Sequence, residues 1–142
     1  MKQQNLANHS KLVLGFHGIL FLLMISFLIG SIMNLINSGE ENLYSASLLV
    51  LLALILLMLS YYVRAFALKA QDRAIKAEES LRYFILTGKP LPTKVTVRQI
   101  VGLRFASDDE FVDLVKRTVD NNLSEKDIKK AIKNWKEDTY RV

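Results

Sequence analysis

Two histidines, one acidic cluster, a lysine series and a Gly-Lys pair are the residues of this chain with types and spacings that could do chemistry. His17 lies inside an apolar run, where a histidine can ligate haem or relay protons. A bis-histidine site needs a second ligand, and His9, the other histidine, lies outside that run. His17 is therefore given an interfacial or hairpin hydrogen-bonding role. Asp108, Asp109, Glu110 and Asp113 could gather a divalent cation, but they lack the central glycine of a calcium loop. They also fall in the first turns of an expected helix, where negative charge offsets the macrodipole, and that reading is preferred. Gly88-Lys89 lacks the preceding glycine and the Ser or Thr of a phosphate loop. Histidines confined to positions 9 and 17 exclude a Ser-His-Asp set, and the lack of cysteine excludes thiol chemistry. No catalytic, cofactor-binding or metal-ligating residues are expected, and the chain reads as a non-enzyme with no small-molecule substrate.

Lys126, Lys129, Lys130, Lys133 and Lys136 line one face of an expected terminal helix, opposite Ile128, Ile132 and Trp135. Such a face suits anionic lipid or an acidic protein partner, and it also resembles any solvated helix face. The lysine face itself carries no aromatic residue, Trp135 lying opposite, which makes nucleic acid the weakest of the candidate partners.

The elements that must hold these residues follow from hydropathy. The chain is 51% hydrophobic, concentrated in two blocks free of Asp, Glu, Lys and Arg: about 12–36 and 43–63. Each is long enough to cross a bilayer core as a helix, which takes about 20 residues. The first block is longer than a signal-peptide core and lacks a convincing cleavage site, so a retained span is expected. Lys2 and Lys11 precede the first span, Glu40 and Glu41 occupy the short loop, and Arg64, Lys69, Arg73 and Lys76 follow the second span. Positive residues stay inside, so both termini should be cytoplasmic in a bacterial inner membrane. Tyr44, Tyr61 and Tyr62 stand where interfacial aromatic residues gather. The net charge of +5 falls entirely on the segment after the second span, where it meets membrane lipid.

No Gly or Pro interrupts the chain from Leu43 to Leu86. Alternating steps of three and four residues pick out Ala46, Leu49, Ala53, Leu56, Ser60, Val63, Ala67, Ala70, Ala74, Ala77, Leu81 and Phe84 as one seam for helix contact. In the first span, Ser26 and Gly30 form a small-xxx-small pair expected to face the second. The second helix should run on as an amphipathic stalk, 64–87, with Asp72–Lys76 and Glu78–Arg82 pairs. Gly88, in a left-handed conformation, and Pro90 should end it.

Beyond Pro92 come three expected helices, about 97–105, 108–121 and 125–138, forming a small cytoplasmic domain, 94–142. Each begins at a hydroxyl with an acid or amide three residues on: Thr96 with Gln99, Ser107 with Glu110, Ser124 with Asp127. Val97, Ile100, Val101, Phe111, Leu114, Val115, Val119, Ile128, Ala131, Ile132 and Trp135 are the expected apolar faces. So small a domain should pack on the stalk, the membrane face or another subunit. The fold class is thus all-α: a two-helix transmembrane hairpin, its second helix extended as a stalk, and a three-helix C-terminal domain, preceded by a polar arm, 1–11.

Several strings give the chain a recognisable character: Gln4-Asn5 with Asn8-His9; Phe66-Ala67-Leu68-Lys69-Ala70-Gln71-Asp72-Arg73-Ala74-Ile75; Arg98-Gln99-Ile100 leading to Leu103-Arg104-Phe105-Ala106-Ser107; and Ile128-Lys129-Lys130-Ala131-Ile132-Lys133-Asn134-Trp135. They resemble, over nearly the whole length, small bacterial two-span membrane proteins known only as a domain of unknown function. The resemblance implies that hairpin and tail form one unit and carries over no activity. The expected role is a non-enzymatic accessory or scaffold subunit that joins a homo-oligomer or a larger membrane-protein partner. A small channel-like or lytic oligomer is an alternative, although Asn34 and Ser26 are its only polar lining. A membrane-tethered nucleic-acid binder is another, resting on the lysines.

Overall fold

The computed structural model describes residues 5–6 and 12–138. Most of the arm 1–11, with Lys2, His9 and Lys11, lies outside the described residues. Among those described there are five α-helices and no strand: α1 (Phe21–Ile36), α2 (Leu43–Thr87), α3 (Val97–Leu103), α4 (Asp108–Asn121) and α5 (Glu125–Ala131). A π-helical segment, Leu14–Leu20, leads into α1. Two helical stretches, Leu14–Ile36 and Leu43–Thr87, are long and apolar enough to cross a membrane. The chain divides into two units, 12–67 and a second made of 1–11 with 68–142.

In the first unit the usual order of a soluble protein is reversed. Small residues are inside, since Ser31, Ala46 and Ala53 are its buried positions, while Leu51, Leu54, Ile55, Met58 and Leu59 are exposed. The covered face of α1 runs Met24, Leu28, Ser31, Leu35, and that of α2 runs Ala46, Val50, Ala53, Leu57, Ser60, both at helical spacing. Met24 and Phe27 of α1 and Ala53 and Leu56 of α2 border the same small cleft. Ser31 tolerates burial because its hydroxyl donates to the Leu28 carbonyl at 2.9 Å.

This corrects the expectation for Ser26 and Gly30. Both are exposed, and a Cβ at Gly30 would meet nothing within 4 Å. The small residue that faces α2 is Ser31, one step of about 100° from Gly30 around the helix.

In the second unit, α3, α4 and α5 enclose a core with Phe105, Phe111, Ile100, Leu103, Ile128 and Val115 fully buried. The α2 stalk contributes Ile75 and Tyr83 to the same core. At Gly102 the helices approach closely: a Cβ there would lie 3.2 Å from the Glu125 carbonyl oxygen and from the Ile128 side chain. Val97, expected in the core, is exposed, whereas Val101, Val119, Ala131 and Trp135 are half-buried against it.

The caps differ in kind. Thr96 forms the full reciprocal box with Gln99, and Ser124 accepts from the Asp127 N–H. Ser107 makes no side-chain cap; its hydroxyl is buried without a partner. Glu110, which should have completed that box, instead accepts the backbone N–H groups of Lys133 (3.1 Å) and Asn134 (3.0 Å).

Two helices stop earlier than their periodicity predicts. α3 ends at Leu103 rather than 105, and α5 ends at Ala131 rather than 138. Residues 105–107 and 134–136 instead pair as a single antiparallel bridge, Ala106 with Trp135. Ser107 N–H donates to the Asn134 carbonyl (3.0 Å), and Lys136 N–H to that of Phe105 (2.7 Å). The bridge, the Glu110 carboxylate and the Phe105–Trp135 ring contact at 5.2 Å offer the C-terminal segment more than further helix could. α2 ends as expected, with Gly88 at φ +67° and its N–H on the Phe84 carbonyl.

Candidate functional site

The stalk of α2 has two faces. The face carrying Ile75, Glu79 and Tyr83 is buried beneath the C-terminal helices, and Arg82 joins it. Arg82 uses its whole guanidinium fork: Nε donates to Asp108 Oδ1 (2.6 Å), Nη1 to Glu79 Oε2 (3.0 Å) and Nη2 to the Ala106 carbonyl (2.7 Å). Its carbon centre lies 4.2 Å above the Phe111 ring, which also meets Tyr83 edge-on. One arginine therefore ties α2 to the start of α4 and to the turn before it. The expected Glu78–Arg82 pair is replaced by Glu79–Arg82, three residues apart, and Asp72 and Lys76 form no ion pair among the described residues. The tertiary partners Asp108 and Ala106 fix where the guanidinium sits, and from there it reaches Glu79.

The other face is open. Ala70, Ala74, Ala77, Leu81 and Phe84 are all exposed in the single chain, whereas Ala46 and Ala53 are buried and Ser60 and Ala67 half-buried. A pattern read at 3.5 residues per turn rotates around an unsupercoiled helix by about 20° per heptad, or about 100° over the five heptads from Ala46 to Leu81. Residues sharing a seam in sequence thus need not share a covered face. The chain's own domain takes the Ile75–Glu79–Tyr83 side and leaves the alanines outward.

The lysine series is divided by the early end of α5. Lys126 and Lys130 are exposed on the helix, while Lys133 and Lys136 lie on the segment after it. Lys129 is mostly covered, bonds Glu125 at 2.6 Å and lies 5.6 Å from the centre of the Phe105 ring. Arg98 of α3 joins Lys126 and Lys130 on the rim of an open cleft of about 850 Å³, with Gln99, Asn122 and Leu6 among its other walls. Spacing in sequence gave no sign of Arg98, because the α3–α5 packing brings it there. Lys136 borders a different cleft, with Glu78, Leu81, Ile85 and Asp108.

The acidic cluster is committed to the fold at two of its four positions, Asp108 to Arg82 and Glu110 to the backbone at 133–134. Among the described residues no three His, Asp or Glu side chains are gathered as a metal set. His17 sits in the π-helical segment, and its Nδ1 lies 3.2 Å from the Val13 N–H, one of the donors a helix start leaves unpaired.

The chain belongs to a family of unknown function, DUF6526, whose model matches residues 1–142. No curated protein and no solved structure matches it.

Proposed function

We propose that this member of the family is a non-enzymatic accessory or scaffold protein of a bacterial inner membrane. It crosses the membrane twice with both termini cytoplasmic, and acts through helix–helix contacts and a basic cytoplasmic domain. The observation that carries the membrane part is the inverted packing of α1 and α2. Their large apolar side chains face outward and their buried positions are Ser31, Ala46 and Ala53. In water such a pair would expose far more apolar surface than a soluble protein tolerates, and in lipid that surface has its solvent. The scaffold part rests on the open stalk face, Ala70 to Phe84, which the C-terminal helices leave uncovered.

Single cysteines test the topology, since the chain has none. Gly39→Cys in intact cells should react with a membrane-impermeant maleimide, and Lys94→Cys should react only after permeabilisation. Labelling of both in intact cells would refute the orientation. For the scaffold role, the full chain extracted in mild detergent should migrate on a sizing column as a complex. Ala70→Glu with Ala77→Glu should reduce the size of that complex; an unchanged size would remove the stalk face as an interface.

A further inference from the structure

We propose that the open face of the α2 stalk pairs, parallel and in register, with the same face of a second copy of this chain. The inference rests on the membrane-anchored reading above and names the partner that reading leaves open. Ala70, Ala74, Ala77, Leu81 and Phe84 recur at the a and d positions of a heptad. In that register Ile75, Glu79, Arg82 and Tyr83 fall at b, f, b and c. The chain's own helices therefore cover the b, c and f side of the stalk, and Asp108 and Lys136 border a cleft at the seam's edge beside Glu78, Leu81 and Ile85. What they leave is substantially apolar at its end: Leu81 is 59% exposed, Phe84 53%, and Ile85, at the adjoining e position, 71%.

Charge selects the occupant. Arg73 falls at g and Glu78 at the next e, and both are exposed. In a parallel pair, g of one helix faces the following e of the other, so Arg73 meets Glu78 of the second copy, twice per pair. In an antiparallel pair g meets g and e meets e, so Arg73 of one copy cannot meet Glu78 of the other. Insertion of every copy in one orientation makes parallel encounters the rule, and confinement to the bilayer raises their effective concentration. Alanine at a and d lets the backbones approach closely but adds little buried area. Leu81 and Phe84 supply the larger contact, and the charge pair sets the register.

Disulfide trapping of the full chain in membrane vesicles tests this. With Ala77→Cys, a d position faces its own counterpart, while Lys76→Cys, at c, points elsewhere. Copper phenanthroline should yield the disulfide-linked dimer about tenfold faster for Ala77→Cys, because the Cβ atoms must come within about 4 Å. Adding Arg73→Glu alone, or Glu78→Arg alone, to Ala77→Cys should lower the yield, and adding both should restore it. Equal rates for the two cysteines, or no recovery in the exchanged pair, overturn the proposal. If those fail while Ala70→Glu with Ala77→Glu still shrinks the detergent complex, the occupant is a different protein and the interface reading stands. If the complex too is unchanged, both readings fall together.

Discussion

Arg82→Met should lower the stability of the C-terminal unit by about 3–5 kcal/mol, the usual cost of breaking one side of a buried ion pair. The guanidinium and the Glu79 carboxylate both lie nearly out of solvent, with 11% and 10% of their side-chain surface exposed. Removing the arginine strands a carboxylate and the Ala106 carbonyl, and it also removes the cation over the Phe111 ring. Met fills much of the same volume, so the loss is electrostatic rather than a cavity. The contribution of Asp108 is small, because that side chain is largely in water. Trp135 is the only tryptophan and packs in this unit, so its fluorescence follows urea unfolding of the full chain in detergent micelles. Arg82→Met should shift the midpoint sharply down. Glu79→Leu added to Arg82→Met should recover most of the shift, since two apolar groups leave no buried charge unpaired. A midpoint left in place by Arg82→Met would refute the role of Arg82 in tying α2 to α4.

Phe105→Ala should cost a comparable amount, about 3–5 kcal/mol, by the different route of an unfilled cavity. Phe105 has no exposed surface. Its ring contacts Trp135 at 5.2 Å between centroids and underlies the Arg104 guanidinium at 4.6 Å. Its carbonyl accepts from Lys136. Truncation removes the surface on which the segment after α5 rests, so the substitution should also release that segment. Two readouts separate the effects: the helical circular-dichroism signal gives the unfolding midpoint, and Trp135 emission before unfolding reports the local loss. The midpoint should fall and the native emission should shift to the red. Native emission unchanged from the parent would mean that Phe105 does not hold the tryptophan.

Both predictions concern contacts that local pattern could not specify. Arg82 was legible as a helix-surface arginine, with Glu78 in the favoured position four residues before it. The choice of Glu79 depended on Asp108 and Ala106, more than twenty residues away. Phe105 sat at the expected end of a helix, and only the bridge to Trp135 took it out of helical conformation. Glu110 likewise carried a correct capping signature, and its carboxylate was claimed by the backbone of a later segment. In each case a helical end, where backbone groups lack internal partners, was the place where tertiary contacts could outbid local preference.

Sequence by itself determined what depends on period and composition. It set the two apolar helices, the unbroken run of α2 to its glycine stop, the all-helical class and the apolar faces of α4 and α5. These are short-range consequences of side-chain spacing and backbone freedom, repeated over many residues, so single errors average out. Tertiary structure alone decided which face of the stalk is covered. A 3.5-residue pattern and a 3.6-residue helix part by about 20° per heptad, and over a helix this long the difference carries residues onto another side. The C-terminal helices then settled the matter by binding Ile75, Glu79, Arg82 and Tyr83, which leaves the alanine seam open.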